Sequence, residues 1–299
     1  MGQADTYLGR VVVGYDGSPA SAIAVTWASA EAHLRGRGLT IVHAVMPTAS
    51  GGSLGAGVGP GPDMVDALVE GAHKQLTELA AGLDSPDVTT NVAIGGPSGV
   101  LLEASETADL VVLGSRGRGG FARLVLGSVA AQVAAHAACP VVTVRNDVAP
   151  DANEIVVGVD PGSTAAIAFA FDEASRHGWS IVAVHAWDVP SYDLIIVPDG
   201  PVPVALSDVA DEEIRMLAEL LAGFRDEYPD VEVNELLVHG PPVSSLLEAS
   251  ANPVMIVVGT RGHGPAVGAL IGSVSHGVLH KSTVPVAVVP RLEPAPDAA

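Results

Sequence analysis

Residues 110–129 read LVVLGSRGRGGFARLVLGSV. The apolar run 110–113 stops at Gly114. Gly117, Gly119 and Gly120 follow, and Gly127-Ser128-Val129 closes the stretch. A short apolar run bounded by glycine suits a buried strand. The small-residue segment 129–138 suits a helix, with Ser128 as its N-cap or first-turn residue. A glycine-rich turn leaves backbone N–H groups uncovered. A helix start adds further free N–H groups and the positive end of the helix dipole. The layout therefore predicts an anion site, best suited to phosphate. Arg116, Arg118 and Arg123 add positive charge within it.

The same stretch occurs twice. Residues 254–274 read VMIVVGTRGHGPAVGALIGSV, and Gly259, Gly262, Gly272 and Ser273 repeat the spacing of Gly114, Gly117, Gly127 and Ser128, each 145 positions on. The match extends outward in both directions. VVVGYD at 11–16 answers to IVVGVD at 155–160, and LTIVHA at 39–44 to IVAVHA at 181–186. LLEAS recurs letter for letter at 101–105 and 246–250, and ACPVVTV at 138–144 answers to TVPVAVV at 283–289. The chain is a tandem duplication. Its copies span 1–147 and 153–292, joined by the polar, proline-containing segment NDVAPDAN at 146–153.

Each copy alternates strand and helix patterns. The first has strands near 10–15, 39–45, 88–94, 109–114 and 141–145, and helices near 19–36, 64–83, 98–107 and 127–138. The second has strands near 154–159, 180–187, 231–238, 254–259 and 285–289, and helices near 163–177, 205–226, 243–251 and 272–281. Alternating βα units with continuously apolar strands predict an α/β fold: two tandem doubly wound domains, each with a parallel sheet covered on both faces. In the strand order 3-2-1-4-5, the first and fourth strands are neighbours. Their carboxyl ends then meet at the topological switch, where such sheets bind ligands. Asp16 and Gly114 would meet there, as would Asp160 and Gly259. The Gly/Pro-rich segments 47–62 and 190–203 are long for loops and are expected to be lids, partner surfaces or plain connectors.

Composition narrows the function classes. The net charge is −20; the first 150 residues hold 8 Lys and Arg against 13 Asp and Glu, and the remainder 6 against 21. Such a surface repels nucleic acid, so a bound nucleotide has to be held by local donors. No apolar run approaches the roughly 20 residues of a membrane span. The start MGQADTYLGR lacks the basic and apolar regions of a signal peptide. Met1-Gly2 with Thr6 fits a myristoylation pattern only as short patterns match by chance. A single cysteine excludes an internal disulfide and fits a cytoplasmic protein.

Both glycine loops, both strand-end aspartates and both His-Ala strand ends occur in the same order, and on them the chain resembles the universal stress protein family in its tandem form. The resemblance covers about 8–145 and 153–290. It implies five strands per domain in the order 3-2-1-4-5, the ATP-binding branch of the family, and ATP as ligand, alone or with Mg2+. It implies that Asp16 and Asp160 sit by the adenosine and that Ala44 and Ala186 hold the adenine edge through backbone groups. It also implies that Gly114, Gly117, Gly127, Ser128 and Val129 cradle ribose and phosphates in the first copy, with Gly259, Gly262, Gly272, Ser273 and Val274 doing so in the second. Arg116, Arg118 and Arg261 are the loop cations at these sites. The family context suggests a regulator of stress response or growth arrest with an unidentified protein partner; a homodimer fits the family but is not written in these residues.

The copies differ. Pro161 is inserted after Asp160 and removes an N–H. His263 stands at the position of Arg118, and Gly268 at that of Arg123. The first site is therefore expected to be the stronger. No general base is apparent beside Ser128, and the lysine-bearing phosphate loop of NTPases is absent. Slow hydrolysis or none is expected. A slow ATPase and a scaffold with vestigial sites remain the alternative readings. His43 and His185 are expected to be hydrogen-bonded structural residues, with no His or Cys cluster nearby for a metal. Cys139, opposite Val284 in the repeat, is expected to be a packing residue.

Overall fold

The computed structural model describes residues 6–46, 61–85, 87–117, 126–145, 148–187, 194–197, 200–203, 206–260 and 271–291. The chain divides into two compact units, Met1–Asp147 and Val148–Ala299. The first unit runs β1 (Val11–Gly14), α1 (Pro19–Leu34), β2 (Leu39–Val45), α2 (Pro62–Ala81), β3 (Val88–Ile94), α3 (Pro97–Ser105), β4 (Leu110–Gly114), α4 (Ser128–His136) and β5 (Val141–Val144). The second runs β6 (Glu154–Gly158), α5 (Thr164–His177), β7 (Ser180–Trp187), β8 (Leu194–Val197), β9 (Gly200–Pro203), α6 (Leu206–Glu227), β10 (Val233–His239), α7 (Pro242–Glu248), β11 (Pro253–Gly259), α8 (Ser273–Lys281) and β12 (Val286–Val289).

In the first unit β1 pairs in parallel with β2 and β4, β2 with β3, and β4 with β5. That is the expected order 3-2-1-4-5. In the second unit β6 pairs with β7 and β11, β7 with β10, and β11 with β12, which is the same order. The central strands are covered on both faces: Val11, Val12, Val13, Leu110, Val111 and Val112 are all fully buried. Helix α3 packs against α4, and α7 against α8. The right-handed crossover rule puts α1 and α2, and likewise α5 and α6, on the opposite face of each sheet.

One element departs from the sequence reading. The segment 190–203 holds an antiparallel hairpin, with Leu194 opposite Pro203 and Val197 opposite Gly200. Its sequence carries the local signal: the β-prone run LIIV, then Pro198-Asp199-Gly200 as turn residues. The prolines at 201 and 203 are compatible with a strand that lacks a second neighbour. The corresponding segment 47–60 of the first copy lies outside the described residues.

Helix α1 shows how the sequence sets an element next to the site. Ser18 is its N-cap and accepts a hydrogen bond from Ser21 N at 3.2 Å, with Pro19 in the first turn. Ser21, Ala24, Val25, Ala28 and Ala32 recur at helical spacing and are buried. The chain leaves the helix through Gly36, in the left-handed region at φ +62°. The small residues at the start of α1 let it approach β4 closely. A Cβ on Gly114 would lie 2.7 Å from the backbone carbonyl of Ala20 and 2.9 Å from Ser21 N.

At the opposite end of the sheet, Arg10 ties three strands together. Its guanidinium donates to both carboxylate oxygens of Asp87 (2.8 and 3.0 Å) and to Leu39 O (3.0 Å), and its Nε to Thr40 Oγ1 (2.8 Å). The Asp87 carboxyl is held below its usual value by that arginine. Among the described residues, no helix is long and apolar enough to cross a membrane.

Gly114→Ala drives a methyl into backbone atoms that cannot step aside. Stability of the full chain, read from urea unfolding, should fall by about 1–3 kcal/mol. Gly71→Ala on α2, where nothing lies within 4 Å of the added carbon, should leave it unchanged or raise it by up to about 1 kcal/mol.

Candidate functional site

The carboxyl ends of β1, β2 and β4 open onto a cavity of about 530 Å3 in the first unit. Asp16 lies two residues beyond β1. Its Oδ1 accepts from Ser18 N at 3.0 Å, forming an Asx turn that points the other oxygen toward β4. A Cβ on Gly117 would fall 2.5 Å from Asp16 Oδ2, so the loop after β4 passes directly against this carboxylate. Ser18 Oγ, 3.3 Å from Arg116 O, ties the two loops together. Gly127 N donates to Ser115 O at 2.8 Å, which anchors the start of α4.

Helix α4 opens with no side-chain cap. The earliest backbone hydrogen bond at this end is Ala131 N to Gly127 O at 3.0 Å. The first-turn N–H groups of Ser128, Val129 and Ala130 therefore have no helical acceptor, and all three residues line the cavity. Arg116 also lines it. Burial and the neighbouring Arg116 guanidinium push Arg145 down from its ordinary value. A carboxylate that accepts, a row of N–H donors and the Arg116 guanidinium fit a ligand with hydroxyls at one point and anionic charge at another.

The second unit repeats the arrangement around a cavity of about 1040 Å3. Gly272 N donates to Thr260 O at 2.6 Å, and α8 likewise begins without a side-chain cap. The inserted Pro161 does not abolish the Asx turn, because Gly162 N supplies the donor to Asp160 Oδ1 at 2.7 Å. The difference lies in the serine. Ser163 Oγ is spent on the backbone of Asp160 and makes no cap to α5, whereas Ser18 caps α1 and reaches the β4 loop.

Asp16, Ala44, Gly114, Arg116, Gly117, Gly127, Ser128 and Val129 all line the first cavity, and Asp160, Ala186, Gly259, Gly272, Ser273 and Val274 the second. Arg118, Arg123, Arg261, Gly262, His263 and Gly268 lie outside the described residues. His43 Nδ1 donates to Tyr15 O at 2.8 Å, and His185 Nδ1 to Val159 O at 2.7 Å, which holds each ring at its strand end. Sequence reasoning missed Tyr15 and Leu101 in the first cavity, and Trp187, Glu212, Glu213, Met216 and His276 in the second. Trp187 directly follows the His-Ala pair and was findable by register. Glu212 and Glu213 sit on a helix whose charged face reads, from sequence, as solvated.

A family model described as the universal stress protein family matches residues 8–145 and again 152–290. The chain is similar to universal stress protein Rv2005c of Mycobacterium tuberculosis, at 37% identity over 297 residues, covering 93% of this chain and 96% of that protein. It is similar to universal stress protein Rv2623 of the same organism at 34% identity, covering 96% and 98%. Among solved structures, a universal stress protein from Archaeoglobus fulgidus shares the fold across both units, with a TM-score of 0.68 at 22% identity, covering 95% of this chain and 98% of that one.

Cys139 is buried, and desolvation pushes its thiol up to about 12. Between the ordinary thiol value of 9.0 and about 12, the unfolded chain releases a proton that the folded chain keeps. Stability should therefore fall as pH rises through that window. Cys139→Val should flatten the fall, and native Cys139 should resist iodoacetamide at pH 8 until urea unfolds the chain.

Proposed function

The chain belongs to the universal stress protein family, and from that premise we propose that it binds ATP and acts as a nucleotide-dependent regulator, with little or no hydrolysis. The observation that supports this best is the convergence at one cavity of Asp16, the Gly117 loop and the uncapped start of α4. A carboxylate accepts from the two hydroxyls of a ribose. The free N–H groups and helix dipole receive phosphate. The lysine-free loops argue for a binding role, since fast phosphoryl transfer needs a cationic clamp on the transferred group.

The first site is the stronger one for ATP in this reading. It has the smaller cavity and the Ser18 tie between its two loops. Mg2+ would accompany the phosphates, and the cytoplasm is the compartment that supplies the ligand.

Isothermal titration of nucleotide-stripped protein with ATP tests the reading. ATP should bind, and Gly117→Ala should weaken the tighter site at least about tenfold, because its methyl displaces Asp16. The same substitution should leave the unfolding midpoint nearly unchanged, since the displaced atom is a side-chain end. Full affinity in Gly117→Ala, or no ATP binding by the wild type, overturns the assignment.

A further inference from the structure

The repeat allows each position of one cavity to be compared with its counterpart in the other. The phosphate-facing end is built alike in both. Each loop closes on a glycine N–H to carbonyl hydrogen bond, Gly127 to Ser115 and Gly272 to Thr260, and each helix opens on Ser-Val without a side-chain cap. The ribose-facing carboxylate is also retained, with Asp16 and Asp160 in matching Asx turns. A further change lies at the third end, beyond the second strand of each sheet.

There the second cavity is lined by Trp187, Glu212, Glu213 and Met216. The repeat register follows from TELAAGL at 77–83 against AELLAGF at 218–224, with Leu76 and Leu217 buried alike. It sets Glu213 against Ala72 and Glu212 against Gly71, and the strand register sets Trp187 against Val45. Ala72 and Val45 are both buried in the first unit and neither lines its cavity. The positions of Glu213 and Trp187, which border the second cavity, are apolar and packed away from the cavity in the first copy.

Glu213 is held in place. His185 Nδ1 lies 2.7 Å from Val159 O and its Nε2 2.9 Å from Glu213 Oε2. Both ring nitrogens face oxygen acceptors, so a proton has to lie between His185 and Glu213, and that hydrogen bond fixes the carboxyl group against β7. Trp187 contacts the His239 ring, with centroids 4.8 Å apart, and is held at the cavity edge as a stacking surface. No Lys or Arg is among the described residues lining this cavity.

A nucleotide with its phosphates at α8 and its ribose at Asp160 puts its base at this end, because β7 lies beyond β6 from β11. The chemistry there discriminates between purines. Carboxylates accept hydrogen bonds and offer none. The outer edge of guanine presents two adjacent donors, N1–H and the 2-amino group. Adenine presents a donor beside the N1 lone pair, which a carboxylate repels. We infer that the second site selects a guanine nucleotide, with Glu212 and Glu213 reading the base edge and Trp187 stacking on it. The inference rests on the nucleotide reading above and divides it: adenine at the first site, guanine at the second.

Trp187 supplies a local reporter. The chain holds three tryptophans, and the signal of this one is isolated by difference against Trp187→Phe. Nucleotide-stripped full-length protein is titrated with GTP, ITP and ATP while that signal is followed, and ATP binding at the first site is followed by calorimetry. GTP should quench Trp187 at concentrations at least about tenfold below ATP. ITP, which keeps N1–H and lacks the amino group, should fall between. In the Glu212→Gln/Glu213→Gln double variant the GTP preference should disappear while the calorimetric ATP site is unchanged. Equal response of Trp187 to GTP and ATP, a silent Trp187 while ATP still binds the first site, or a preference that survives the double variant overturns this inference alone. Absence of any nucleotide binding overturns the underlying reading as well.

Discussion

Position 117 has room for a hydrogen atom and little else, because the Asp16 carboxylate lies where a side chain would begin. That approach joins two segments a hundred residues apart and depends on β1 and β4 being neighbours. The neighbour relation follows from the order 3-2-1-4-5, in which the chain reverses its direction of travel across the sheet. The reversal opens a crevice at the carboxyl ends of those two strands. The Asx turn at Asp16, the Ser18 cap on α1 and the Ser18–Arg116 tie all serve to keep the carboxylate and the loop at this separation. The two glycines of this loop have different physical reasons. Gly114 is demanded by the backbone of α1, and Gly117 by a functional side chain.

The overall charge opposes an anionic ligand, and the site overcomes it at short range. Screening reduces interactions between exposed charges beyond roughly 10 Å at physiological salt. The N–H groups at the start of α4, and Arg116 beside them, act at hydrogen-bond distance in a partly enclosed cavity, where screening is weaker.

The layout of the fold was legible because its signals are local and duplicated. Continuous apolar strands, glycine stops and the letter-for-letter recurrence of LLEAS specify alternating βα units without any knowledge of packing. The hairpin at 194–203 was missed although its Pro-Asp-Gly turn was in view, because a segment rich in turn residues was read by its length alone. At the cavity, glycine spacing picked out much of the backbone that lines it. The side chains on α6 were not, since a charged helical face looks the same whether it borders water or a ligand. The effect of Pro161 was also more local than its chemistry suggested. The Asx-turn donor is the residue two after the aspartate in both copies, so Pro161, one after it, leaves the turn in place, while Ser163 makes no side-chain cap to α5.

What the second cavity tolerates follows from the same energetics. An ionisable group at the edge of a cavity is solvated while the cavity is open and loses water when a ligand covers it. Leaving such a carboxylate without donors costs about 1–3 kcal/mol or more, a large part of the binding energy of a small ligand. In the first unit the matching positions, Ala72 and Val45, are apolar, buried and away from the cavity. The second unit fixes Glu213 with His185 and adds Glu212 and Trp187 beside it. A ligand that covers those groups has to bring donors of its own. The two cavities share the uncapped helix start and the Asx turn and differ in the side chains that border the end beyond the second strand.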